Sequence, residues 1–198
     1  MTRTCPSCRG DHPVGTTCGW LPVVTVSPAL DEPGTSRWDG AVVVVTISDA
    51  EARRADDFAA KVEALRANTP SVFETANRVT FRRLSTRAEV GLARFLGLPW
   101  TGGSVLVTGR QHLPDVGRDI EVRWTGSHLD APWLMLQKRE RPYAAERWVL
   151  VTGPDRTFRY HGWLYGHEAM RPDNWDADMP YPCFRVPVAR LRSMRDLT

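Results

Sequence analysis

Apolar residues along this chain follow two spacings, and the change from one to the other falls near Gly97. "AVVVVTI" (41–47) is β-branched through most of its length and predicts a buried strand. Ser48 and Glu51 in "SDAE" then form a capping box, in which the serine accepts from first-turn amides and the glutamate reaches back. Ala55, Phe58, Ala59, Val62 and Leu65 follow at helical spacing and predict a helix to about Ala67. "RVTFRRL" (78–84) reads as a short strand or an extended connection. Thr86 with Glu89 forms a second capping box, which opens a second helix. Its apolar stripe is Ala88, Leu92, Phe95 and Leu96, and Gly97 closes it. Beyond Gly97 the period becomes two. "SVLVTG", "DIEVRW", "PWLMLQ", "RWVLVTG" and "TFRYHGWLYG" read as strands separated by Gly, Pro and Asp turns. "GHEAM" begins a short helix, and "VPVARLRSM" ends the chain as strand or helix.

A strand, then helices, then a run of strands is an α+β order rather than the steady alternation of a doubly wound fold. Two large classes of chemistry are excluded. "TGGS" (101–104) lacks the lysine and the spacing of a phosphate-cradling loop, and there is no Gly-x-Ser-x-Gly nucleophile elbow. A chain of 198 residues fits one ordinary domain with a small appendage, and 42 % apolar with 25 % charged residues separates it from disordered chains. A net charge of +3 permits a nucleic-acid partner without requiring one. No apolar run reaches the length of a membrane span, and "MTRTCPSCRG" lacks the apolar centre of a secretory signal. The expected location is cytoplasmic, where thiols stay reduced and paired cysteines point to metal.

Three of the four cysteines fall within the first 18 residues. Cys5, Cys8, His12 and Cys18 in "CPSCRGDHPVGTTC" supply four ligands suited to tetrahedral Zn²⁺, with Asp11 as a substitute for His12. A segment so short folds only around its metal, so the zinc would be structural. The spacing resembles the zinc knuckle of retroviral nucleocapsid proteins, with the histidine one residue early. The expected organisation is a zinc-knuckle-like segment (1–20), a proline-bearing linker with one short extended piece (21–40), and a compact domain (41–198).

"PDVGRDIEVRWTG" (114–126) carries the main candidate chemistry. On a strand, Asp119, Glu121 and Arg123 share one face, and Ile120, Val122 and Trp124 share the other. Asp115, in the turn before, can reach the acidic face. Two carboxylates beside a guanidinium suit a hard divalent cation and an anionic phosphate, yet the same spacing describes an ordinary solvated strand face. The neighbourhood adds to it. A helix bearing Glu89, then "SVLVTG", Asp115 and Glu-x-Arg resembles the PD-(D/E)XK nuclease superfamily. The stretch from Glu89 onward is similar to a group of small phage-encoded members, through "AEVGLARFLGLPW", "DVGRDIEVRW", "RWVLVTG" and "FRYHGWLYGHEAMRPDNW".

The resemblance implies a restriction-endonuclease-like core, in which a central mixed sheet is flanked by helices. It implies hydrolysis of DNA phosphodiesters with Mg²⁺ or Mn²⁺. Asp115 and Glu121 match the metal-binding acids, with Asp119 in reserve for Asp115, and Glu89 matches the helix acid. Arg123 stands where the superfamily has lysine. Arginine stays protonated, so it serves as a cation and the base falls to Glu121 or to hydroxide on the metal. The alternatives from other classes are a nucleic-acid-binding protein of the same fold without catalysis, and a zinc-stabilised interaction protein. Gln137, Lys138 and Arg139 are further phosphate contacts or a solvent-facing loop. His161 and His167 bracket "GWLYG" and suit a metal or acid–base role, or the surface. Cys183 reads as a core thiol and Trp163 as structural.

Overall fold

A computed structural model describes residues 2–4, 11–13, 24–26, 42–65, 75–102, 113–126, 131–138 and 145–197. Three short strands come first, β1 (Thr2–Thr4), β2 (Asp11–Pro13) and β3 (Val24–Val26). β4 (Val43–Thr46), α1 (Asp49–Leu65) and α2 (Thr75–Leu96) follow. The remainder is β5 (Ile120–Trp124), β6 (Trp133–Leu136), β7 (Arg147–Thr152), β8 (Thr157–Tyr165), α3 (Gly166–Ala169), β9 (Trp175–Asp176) and β10 (Cys183–Pro187). The α+β order is therefore observed. Of "VPVARLRSM", Val186 and Pro187 end strand β10, and two 3₁₀ turns follow, Val188–Arg190 and Met194–Leu197, rather than α-helix.

The main sheet runs β4-β8-β7-β5, and β3 adds to the β4 edge. β5 and β7 are parallel and the other pairs antiparallel. Between β5 and β7 the chain leaves to form β6, which joins a second antiparallel sheet in the order β6-β10-β9. β7 explains why the two cores meet here. Val149 and Val151 pack with Val122, Ala88 and Leu92 on the helix side, whereas Trp148 and Leu150 pack with Leu134, Leu136 and Phe184 on the small-sheet side. A strand buried on both faces reads as a continuous apolar run, as "WVLV" does.

The first capping box forms as expected. Ser48 N–H donates to Glu51 Oε2 at 2.8 Å, and Glu51 N–H donates to Ser48 Oγ at 3.3 Å. Three groups of ion pairs fix α1 against α2 in antiparallel register: Glu51 with Arg94, Asp56 with Arg87, and Glu63 with Arg78 and Arg82. These pairs also explain a correction. Residues 78–84 are helix, not strand or extended connection, because Arg78 and Arg82 must rise on one face to reach Glu63. Phe81 meets Trp124 edge-on, 5.3 Å between centroids. The cost of two β-branched residues in a helix, a few tenths of a kcal/mol each, is smaller than this packing. Thr86 and Glu89 thus lie inside one long helix and form no cap there. The end at Gly97 stands: Gly97 N–H donates to Arg94 O and Leu98 N–H to Ala93 O, a Schellman closure.

Candidate active site

The site is assembled where α2 crosses the β5 edge of the main sheet. Tyr160 on β8 donates its hydroxyl to Ala88 O at 2.8 Å, which pins α2 one residue before Glu89. The helix comes this close because Gly91 lacks a side chain; a Cβ there would sit 2.5 Å from Tyr160 Oη. Val116 and Ile120 exchange backbone hydrogen bonds across the turn at 117–119, folding Asp115 back beside β5. Asp115 Oδ2 accepts the Val122 amide at 2.9 Å, and its carbonyl accepts Thr101 N–H at 3.1 Å.

Alternation along β5 distributes its residues as the sequence implies. Ile120 and Val122 enter the helix-side core, Glu121 is buried away from it, and Arg123 is half-buried with its guanidinium 4.4 Å from the Trp148 ring centroid. Asp119 departs from the expected face. It ends the turn before β5 and is held by Arg147 through two hydrogen bonds of 2.9 and 2.7 Å. That pairing leaves Asp115, not the reserve residue, beside Glu121.

Glu89, Asp115, Glu121 and Arg123 act electrostatically on one another. Burial pushes the Glu89 carboxyl well above the usual range, and the Asp115 charge adds to it. The Trp100 indole N–H, which donates to Glu89 Oε2 at 3.1 Å, opposes that shift, as do Arg82 and Arg123. Burial first and Asp115 second push Glu121 up to about 10; Arg123 opposes, while Glu146 and Glu89 add. The cluster therefore carries three carboxyls against the Arg82 and Arg123 guanidiniums, of which Arg82 is shared with Glu63, and at neutral pH the deficit is met by protons or by a cation. An oxygen-only donor set of this kind fits Mg²⁺ or Mn²⁺ in its chemistry. Among the described residues, no three His, Cys, Asp or Glu side chains converge closely enough to hold an ion as they stand.

The other predicted residues are dispersed. Gln137 and Lys138 are exposed at the end of β6. His161 is half-buried and lies 2.7 Å from Thr152 Oγ1; burial, assisted by Arg159, lowers its pKa to about 4. His167 stacks on Tyr165 at 5.4 Å, and Cys183 is buried. Arg139, Cys5, Cys8, Cys18 and "SVLVTG" lie outside the described residues, as does the His12 side chain; the His12 backbone pairs with Arg3 across β1 and β2. Three residues with a bearing on the site were assigned no role from sequence: Trp100, Arg82 and Glu146. "GLPW" signals the first only as an aromatic after a helix end. No known protein family, no curated protein and no solved structure matches the chain.

Proposed function

We propose that this protein is a metal-dependent deoxyribonuclease with a restriction-endonuclease-like core, related in design to the PD-(D/E)XK nucleases. One observation carries the reading: acids from a helix (Glu89), a turn (Asp115) and a strand (Glu121) repel one another in a largely buried cluster with Arg123 alongside. Clustered carboxyls with raised pKa mark functional sites more often than scaffold.

Asp115 and Glu121 would hold the ion, which supplies polarisation of the phosphate and a lowered pKa for the attacking water. Arg123 offers a permanent positive charge to the developing charge on phosphorus oxygens and cannot take the proton. The proton would go to Glu121, once the bound ion has ionised it, or be absent from a metal-bound hydroxide. Glu89, fixed by Trp100, holds the far side of the cluster. The Arg123 guanidinium over Trp148 favours a second reading, in which the cation serves packing and the protein binds nucleic acid without cutting it. Cys5, Cys8, His12 and Cys18 are assigned to structural zinc.

Linear and circular DNA incubated with Mg²⁺ or Mn²⁺ test the activity. Cleavage by the wild-type chain, lost in Glu121→Gln, is the expected result. Absence of cleavage with either metal overturns the nuclease reading in favour of binding alone.

A further inference from the structure

The outer face of α1 is separated in charge from its inner face. Its other acids are each paired with an arginine from elsewhere in the fold: Asp49 with Arg156, Glu51 with Arg94, Asp56 with Arg87, and Glu63 with Arg78 and Arg82. What remains on the outer face is Arg53, Arg54, Asp57 and Lys61, at helical spacing, all exposed. These residues line one side of a groove of about 610 Å³ whose other side is Trp100 to Gly102. Arg53, Arg54 and Lys61 form no ion pair with any described residue.

The groove is also aromatic. Phe58 meets Trp100 edge-on, with ring centroids 5.0 Å apart, and the Arg54 guanidinium stands 5.4 Å from the Trp100 centroid. Trp100 is shared with the acidic cluster, since its indole N–H donates to Glu89 at 3.1 Å. A ligand that fits the groove is therefore anionic at intervals and planar in places. The volume is that of a small-ligand pocket, large enough for a nucleotide.

We infer that this groove takes single-stranded nucleic acid, with backbone phosphates on Arg53, Arg54 and Lys61 and an unpaired base against Trp100. The choice of nucleic acid as ligand class rests on the nuclease reading; the choice of single strand rests on the groove. A duplex hides the faces of its bases, so an indole beside a cationic stripe gains nothing from it beyond phosphate contacts, whereas an unpaired base stacks. Arg54 leaves the indole face when a base occupies it and turns to the adjoining phosphate.

The test is fluorescence anisotropy of a labelled twelve-residue oligothymidylate and of a duplex of equal length, with the full chain and no added Mg²⁺ or Mn²⁺. The variant is Arg53→Glu with Lys61→Glu, both exposed, with circular dichroism to show that it folds. Expected are tighter binding of the single strand than of the duplex, roughly tenfold or greater weakening in the variant, and a salt dependence shallower by about 1.4 in log–log slope for two lost phosphate contacts. Equal affinity for duplex and single strand, or a folded variant that binds oligothymidylate as the wild type does, overturns the inference. The nuclease reading fails separately, by absence of cleavage: a chain that binds oligothymidylate through this groove and cuts nothing keeps this inference and loses that one.

Discussion

Glu121 and His161 show how burial sets the charge of single residues. The folded carboxyl of Glu121 titrates near 10, far above its unfolded value near 4.5. Its stabilising contribution is complete below pH 4.5 and is lost progressively as pH rises towards 10. At pH 7 without divalent metal the native state must hold a proton there, a cost of about 3 kcal/mol at most. Glu121→Gln removes that cost, so thermal melts in metal-free buffer at pH 7 should show the variant more stable than the wild type. A base with a depressed pKa behaves in the opposite way. His161 titrates near 4 when folded and near 6.5 when unfolded, so its contribution is full above pH 6.5 and is lost as pH falls to about 4. His161→Gln should flatten the stability curve across that window, as read by melting temperature at successive pH values. The strand alternation made Glu121 and Arg123 legible as a pair. Asp119 was placed with them by the same rule and does not belong there, because strand periodicity starts only at Ile120 and Arg147 is 28 residues distant in sequence.

At the scale of elements, local chemistry was readable and long-range chemistry was not. Ser48 with Glu51 and the Gly97 closure are contained within a few residues, and both form as expected. β7 carries a run of apolar and β-branched residues and β8 alternates exposed with buried aromatic positions over its first half, so both leave little choice. The start of α2 was misread because Val79, Thr80 and Phe81 favour extended backbone locally. What overrides them is Glu63 on another helix, which no local window contains. β10 went unread since "YPCFRV" is short and follows a turn-rich stretch, and its partner β6 lies some fifty residues earlier. Gly91 gives a clean test of local against tertiary control. Helix propensity alone gives Gly91→Ala a gain of about 1 kcal/mol. The Tyr160 hydroxyl 2.5 Å from the new Cβ predicts a net loss, measured by denaturant unfolding, and, on the nuclease reading, reduced DNA cleavage as α2 lifts Glu89 from the cluster.

Considered whole, the molecule is a mixed sheet with helices on one face and a second sheet on the other. Among the described residues, no helix is long and apolar enough to cross a membrane. The α+β class and the strand carrying Glu121 were legible because binary patterns determine them. The electrostatic coupling of Glu89 and Asp115 to Glu121 was anticipated only through resemblance, since residues 32 positions apart share no pattern. The groove on α1 was not reached at all, because it depends on which acids the other face of the helix consumes. The account turns on whether the acidic cluster binds a divalent cation. Calorimetric titration of the full chain with Mn²⁺ answers this directly, alongside Asp115→Asn, Glu121→Gln and a Cys5→Ser, Cys8→Ser chain. Binding that both carboxylate substitutions weaken severely and the cysteine substitutions leave intact is the predicted result. No binding, or binding indifferent to Asp115 and Glu121, would contradict it.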